Sequence, residues 1–344
     1  MAILLGLYSL ISRGVCRIKA VLFKTGIRRP RKAPLPVISV GNLTLGGSEK
    51  TPLARELLTH FLGLGRRPAF VTRGYLGRWE KGGGILSDGR TLRGGWEEAG
   101  DEPSMIARHV PGAGVFVGKN RTRSCLKAKE MGFDLAVLDD GFQHIKLARD
   151  VDIVLFDATA KGGRREGTSA MRRADIILVK KDGEAALPRI RQKFPAAAVF
   201  EYTVVFRGLR LLETGERTAA DVLKEKTILA FCGIARPERF FSLLMERGLP
   251  PRTKMCFPDH YPYPPPGLER IAAACERDRI DALLTTEKDA VKLLGRPRPF
   301  ASTPLYVLEI GLDLPPAFFE KIESSLGPAD RVLDLNRPQA ARPS

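Results

Sequence analysis

Apolar residues recur along this chain in short, nearly unbroken runs, with helical patterns between many of them. The runs "PVISVGN" (36–42), "RPAFVTRGY" (67–75), "GVFVGK" (114–119), "DLAVLDD" (134–140), "VDIVLFDA" (151–158) and "ADIILVKK" (174–181) predict strands. Helical spacing predicts helices near 51–64, 102–110, 120–132 and 183–193. Strands that are apolar on both faces and separated by helices belong to parallel sheets covered on both sides. The first half therefore reads as α/β, doubly wound.

The pattern changes at 198–217, where "AVFEYTVVFRGLRLLETGER" alternates and predicts a connecting β-ribbon. A second series follows: strand 227–234, helix 236–248, strand 253–258, helix 267–278, strand 281–289 and strand 304–312. The expected organisation is a basic segment and link (1–34), a sheet domain (35–197), a ribbon (198–226), a smaller α/β domain (227–326) and a polar tail (327–344).

The N-terminal segment follows a different rule. Leu4, Leu7, Ile11, Val15, Ile18 and Leu22 form a helical stripe, and residues 1–35 hold eight Lys or Arg and no acid. The longest apolar run, 2–11, is too short for a bilayer span, which needs roughly 20 residues. The basic residues follow that run and no small-residue cleavage site is evident, which argues against a signal peptide. The pattern predicts an amphipathic helix lying on an anionic membrane surface; a helix docked on the protein's own core would share it.

Charge sharpens that picture. The 344-residue chain carries a net charge of +17, which suits nucleic acid, a membrane or an anionic substrate. No recognisable nucleic-acid-binding motif accompanies it, so nucleic acid is not an expected partner. Five scattered cysteines without CxxC spacing argue against a disulfide framework or a zinc site.

Candidate chemistry begins at "SVGNLTLGGSEKTPLARELL" (39–58), a strand, a Gly-rich turn and a helix start. A helix N-terminus presents free N–H groups and a positive dipole end to an anion. Lys50 would neutralise phosphate charge, and Thr51 would offer its hydroxyl to Mg²⁺. Position 49, where the phosphate-loop pattern has glycine, holds Glu49, which adds bulk and like charge. By itself the segment could also be an ordinary βα turn. Asp139 and Asp140 end an apolar strand, as a Mg²⁺ site requires, although acids there also form turns. Asp101 in "AGDEPSMIARHV" reads as a helix cap, and His260 in "CFPDHYPYPPP" as a loop histidine. Arg73, Lys119 and Arg121 read singly as surface cations.

Together these segments resemble the tetraacyldisaccharide 4′-kinase family. The likeness rests on "PVISVGNLTLGG…KTP", "TRGY", "GDEP", "LDDGFQH", "FCGIARPERFF", "FPDHYPY" and "TTEKDAVKL", in family order. It implies a P-loop NTPase-like kinase domain with a smaller second domain, ATP and Mg²⁺ as cofactors, and a glycolipid substrate. It also implies a monomer on the cytoplasmic face of the bacterial inner membrane. By motif position, Gly46, Gly47, Ser48, Lys50 and Thr51 would bind ATP, and Thr51, Asp139 and Asp140 the metal. Asp101 would be the base for the sugar hydroxyl, with His260 as its partner. Arg73, Arg121, Gln143, His144, Arg165 and Glu166 would contact substrate. Two departures stand out: Glu49 in the loop, and a shortened segment between Asp157 and Asp175. The first is expected to weaken ATP use and the second to alter the acceptor pocket, which leaves a catalytically weak glycolipid binder as the alternative.

Overall fold

The computed structural model describes residues 29–44, 49–158, 166–181 and 186–327. The expected amphipathic helix, loop residues Gly46, Gly47 and Ser48, and Arg165 lie outside the described residues. In the first half the strands are β1 (Val37–Asn42), β2 (Pro68–Thr72), β3 (Gly84–Asp88), β4 (Gly114–Val117), β5 (Leu135–Asp139), β6 (Val151–Phe156) and β7 (Ile176–Lys180). β8 (Ala198–Leu211) and β9 (Arg217–Thr218) come next, followed by β10 (Ile228–Cys232), β11 (Thr253–Cys256), β12 (Ala282–Thr286) and β13 (Leu305–Asp313).

These strands form one sheet in the order β11-β10-β12-β13-β8-β7-β6-β1-β5-β2-β4-β3, with β9 paired to β8. Every pair in the first half is parallel except β3 with β4. The fold is α/β, as the apolar runs require: β1, β2, β4 and β5 are buried throughout.

β8 joins the two halves. Its first residues pair in parallel with β7, Ile176 facing Ala198 through Lys180 facing Tyr202. Its remainder pairs antiparallel with β13, from Thr203–Asp313 to Leu211–Tyr306. The alternating stretch is thus a single long strand that changes partners, closed by the β8–β9 turn.

The structure departs from the predicted elements at several points, among them these. β12 ends at Thr286, not 289, because the Thr286 hydroxyl accepts the Asp289 N–H and starts a helix, Glu287–Leu293. β3 lies in a stretch for which no element was predicted; it is short, half-buried and antiparallel. The helix Pro316–Leu326, assigned from sequence to the second half, returns Phe318 and Ile322 to the core of the first.

Candidate active site

β1 lies between β5 and β6, with Val40 opposite Asp139. The loop after β1 and the acidic end of β5 therefore share one edge of the sheet, where parallel α/β folds bind ligands. The helix Lys50–Gly63 follows the loop and buries Leu53, Ala54, Leu57, Leu58 and Phe61. That packing fixes its N-terminus, and with it Lys50 and the buried Thr51, beside the end of β5. Lys50 Nζ donates to Asn42 Oδ1 at 3.1 Å and lies 3.5 Å from Asp140 Oδ1.

Glu49 precedes this helix in the left-handed region, at φ 52°. The backbone thus keeps the conformation that favours glycine, and a side chain there is strained. Its carboxylate accepts from Arg239 Nη1 at 2.6 Å and from the Tyr202 hydroxyl at 3.4 Å. Arg239, on the second-half helix Pro237–Glu246, also bonds Asp157, which Arg236 approaches to 3.6 Å. Burial pushes the Glu49 carboxyl up despite Arg239, Lys180 and Arg236. The charge expected to oppose phosphate is therefore held against an arginine of the other half.

The paired aspartates differ. Asp140 has φ 50°. Asp139 is buried, and its Oδ2 accepts from Thr72 at 3.1 Å. Its Oδ1 is buried with no hydrogen-bond partner among the described residues. Burial, then the nearby carboxylates of Glu102 and Asp140, push it up to about 7. An under-satisfied oxygen beside a second carboxylate fits a hard divalent cation, which takes one or two carboxylates.

Asp101 opens the helix Asp101–His109, and Gly100, not Asp101, occupies the cap position at φ 95°. A side chain there would put Cβ 2.9 Å from the Tyr75 carbonyl, and one on Gly74 would put Cβ 2.5 Å from that of Ala99. This glycine pair lets the "TRGY" turn lie against Asp101. Asp101 Oδ1 accepts the Glu102 N–H at 2.9 Å, and Oδ2 lies 2.8 Å from His260 Nδ1. His260 comes from the second half at φ 59°, its N–H donating to the Gly233 carbonyl at 3.0 Å. The Tyr75 ring meets the imidazole edge-on at 5.5 Å. The Asp101 bond raises the His260 imidazole above its ordinary range. Burial works to raise Asp101, but His260, Lys288 and Lys292 outweigh it and hold the carboxyl well below the usual range.

The remaining candidates fall into two groups. Buried Arg121 donates to the Gly118 carbonyl at 3.0 Å; burial lowers its guanidinium, which the nearby Asp139 and Asp140 favour. Gln143 donates to the Asn42 carbonyl at 2.9 Å, and His144 N–H to that of Gly141 at 2.8 Å, so both follow β5. Arg73 is exposed and pairs with Glu80 at 2.5 Å. Glu166 pairs with Arg173, which stacks on Phe142.

Sequence reasoning passed over Asn42, Thr72, Tyr202, Arg239, Lys288 and Lys292. All but Tyr202 lie within the segments that carry the family resemblance, which is the signal that could have found them. His109, Glu287 and Glu309 also converge, with His109 Nε2 3.1 Å from Glu287 Oε1. Arg55 pairs with Glu287, and Arg210 and Arg217 with Glu309, so this is an ionic junction between the halves.

A family model described as tetraacyldisaccharide-1-P 4′-kinase matches residues 1–327. The chain belongs to that family. The tetraacyldisaccharide 4′-kinase of Geobacter metallireducens is 38% identical over 287 residues, covering 80% of this chain and 84% of that one. The like-named protein of Desulfotalea psychrophila is 35% identical over 297 residues, covering 81% and 84%. The crystal structure of LpxK from Aquifex aeolicus, in complex with ATP, superposes with a TM-score of 0.72 at 30% identity, covering 92% and 96%.

Proposed function

We propose that this chain transfers the γ-phosphate of ATP to the 4′-hydroxyl of a tetraacyldisaccharide 1-phosphate, a lipid A precursor. The observation that carries the reading is the 2.8 Å contact between Asp101 and His260. It sets a carboxylate–imidazole pair beside the Lys50 and Asp139–Asp140 cluster. Closeness of the two groups follows from the strand end they share: Thr72 bonds Asp139, and Gly74, two residues on, lies against Ala99 and Gly100, which lead into Asp101.

Asp101, kept ionised, accepts the proton of the attacking hydroxyl while His260 fixes its orientation. The helix N-terminus and Lys50 hold the triphosphate and offset charge on the transferring group. Thr51, Asp139 and Asp140 would hold Mg²⁺, which when bound neutralises charge on the phosphates. Arg121 and Gln143, anchored at the same edge, would contact the acceptor's polar groups.

The protein works peripherally on the cytoplasmic face of the inner membrane, as a monomer, with residues 1–34 attracted to anionic lipid. That reading is supported by the basic, apolar-striped N-terminal sequence, and no described helix is long and apolar enough to cross a membrane. Purified protein should phosphorylate disaccharide 1-phosphate with ATP, and Lys50→Ala should not. Absence of transfer by the intact protein would overturn the assignment. Flotation with anionic vesicles should be lost when residues 1–30 are deleted, and retention would refute the membrane role of that segment.

A further inference from the structure

Lys292 is 1% exposed, yet an ammonium is among the groups most costly to bury without partners. It sits on the second-half helix Glu287–Leu293, with its Nζ 3.2 Å from Asp289 Oδ1 and 3.5 Å from Asp101 Oδ2. The Tyr263 ring lies beneath it, 5.8 Å away. Asp289 has other obligations: its Oδ2 accepts the Gly233 N–H at 3.0 Å and the Thr286 hydroxyl at 2.7 Å. Those bonds fix Asp289, and Asp289 in turn fixes Lys292. One turn earlier on the same helix, Lys288 pairs with Glu102, the neighbour of Asp101. The Gly233 carbonyl holds the His260 N–H, so both groups on Asp101 Oδ2 are anchored through one residue of the second half.

We propose that Lys292 is a positioning residue for Asp101, delivered together with His260 by the second half. The base is then assembled only where the halves meet. This rests on Asp101 being the base of the phosphoryl transfer described above. An ammonium and an imidazole on one carboxylate oxygen pin the group in place, and the ammonium helps keep it ionised. The other charges around it are accounted for: Glu102 is paired with Lys288, Asp289 with Lys292, and Asp259 lies 3.8 Å from His260 Nε2.

The test uses full-length protein carrying Lys292→Met, Lys292→Arg, or Lys292→Met with Asp289→Asn. The last leaves no buried carboxylate unpaired should Lys292→Met fail to fold. Two readouts are followed: the pH dependence of kcat, and the titration of the His260 ring by NMR. An opposite charge at this distance typically lowers an aspartate by about 1–3 pH units. In the Met variants the acid limb of kcat should therefore rise by about that amount, toward the ordinary aspartate range, so that the loss of kcat is confined to the acid side below about pH 5 and absent at about pH 8. KM for ATP should stay unchanged. Lys292→Arg should keep the limb near its original place. The His260 midpoint should move upward in the Met variants, because a neighbouring cation has gone. A uniform fall in kcat at every pH, with the His260 titration unmoved, would overturn the proposal and leave Lys292 a structural ion. The His260 readout needs no turnover, so it judges the Lys292 contact even if the intact protein transfers no phosphate.

Discussion

Glu49 shows how one residue can keep a backbone geometry while changing its chemistry. At φ 52° it bears a left-handed strain of about 1 kcal/mol. Burial of its carboxyl is not fully repaid by Arg239, since the group is pushed up in spite of that partner. Glu49→Gln should therefore change stability by less than about 1 kcal/mol, and Glu49→Gly should raise it by about 1 kcal/mol. Arg239→Ala is the opposite case. It removes the guanidinium shared by two largely buried carboxylates, Glu49 at 9% and Asp157 at 7% side-chain exposure, which keep only the Tyr202 hydroxyl and the more distant Arg236, and should cost about 2 kcal/mol. Urea denaturation of the three variants checks the order; a glycine variant less stable than wild type would refute the strain argument. Sequence alone revealed an unusual glutamate but not its partner. Arg239 lies 190 positions away, and no local pattern encodes a contact at that separation.

At the scale of elements, the helix Glu287–Leu293 and the loop bearing His260 bring the second half to Asp101. Thr286→Ala removes the side-chain cap of that helix and should cost about 1 kcal/mol, read from denaturant unfolding. The His260–Asp101 bond carries a pH signature. His260 is raised, so its contribution is fully present below the ordinary 6.5 and lost as pH rises through the folded value. Asp101 is lowered, so its contribution is present above the ordinary 3.8 and lost as pH falls. The loss of melting temperature in His260→Ala should then be larger at pH 6 than at pH 9; equal losses would mean the bond is not ionic. The strands were legible because doubly buried strands are written as unbroken apolar runs. The cap at Thr286 was legible in principle, as threonine followed three residues later by an acid. It was passed over because the apolar run continues into it. The first-half identity of Pro316–Leu326 was not legible, since an amphipathic helix does not name the surface it covers.

At the scale of the molecule, contacts between the halves include the Asp101 cluster, the Glu49–Arg239–Asp157 ions, and the junction of His109, Glu287 and Glu309. Beneath them all runs β8, paired to β7 by one end and to β13 by the other. Cutting the chain in the turn after β8, at Glu213, would leave the first piece with residues 203–211 as a bare edge. The second piece would bare β13. Each alone should aggregate, while pieces 1–213 and 214–344 expressed together should recover a soluble complex of one copy each, measurable by size-exclusion chromatography. Independent solubility of both pieces would show that the shared strand is dispensable. The strand also bears on heredity. Recombination that exchanged the second half alone would have to bring in a β13 matched to the resident β8, so a swap of one half should be tolerated only where that pairing is kept.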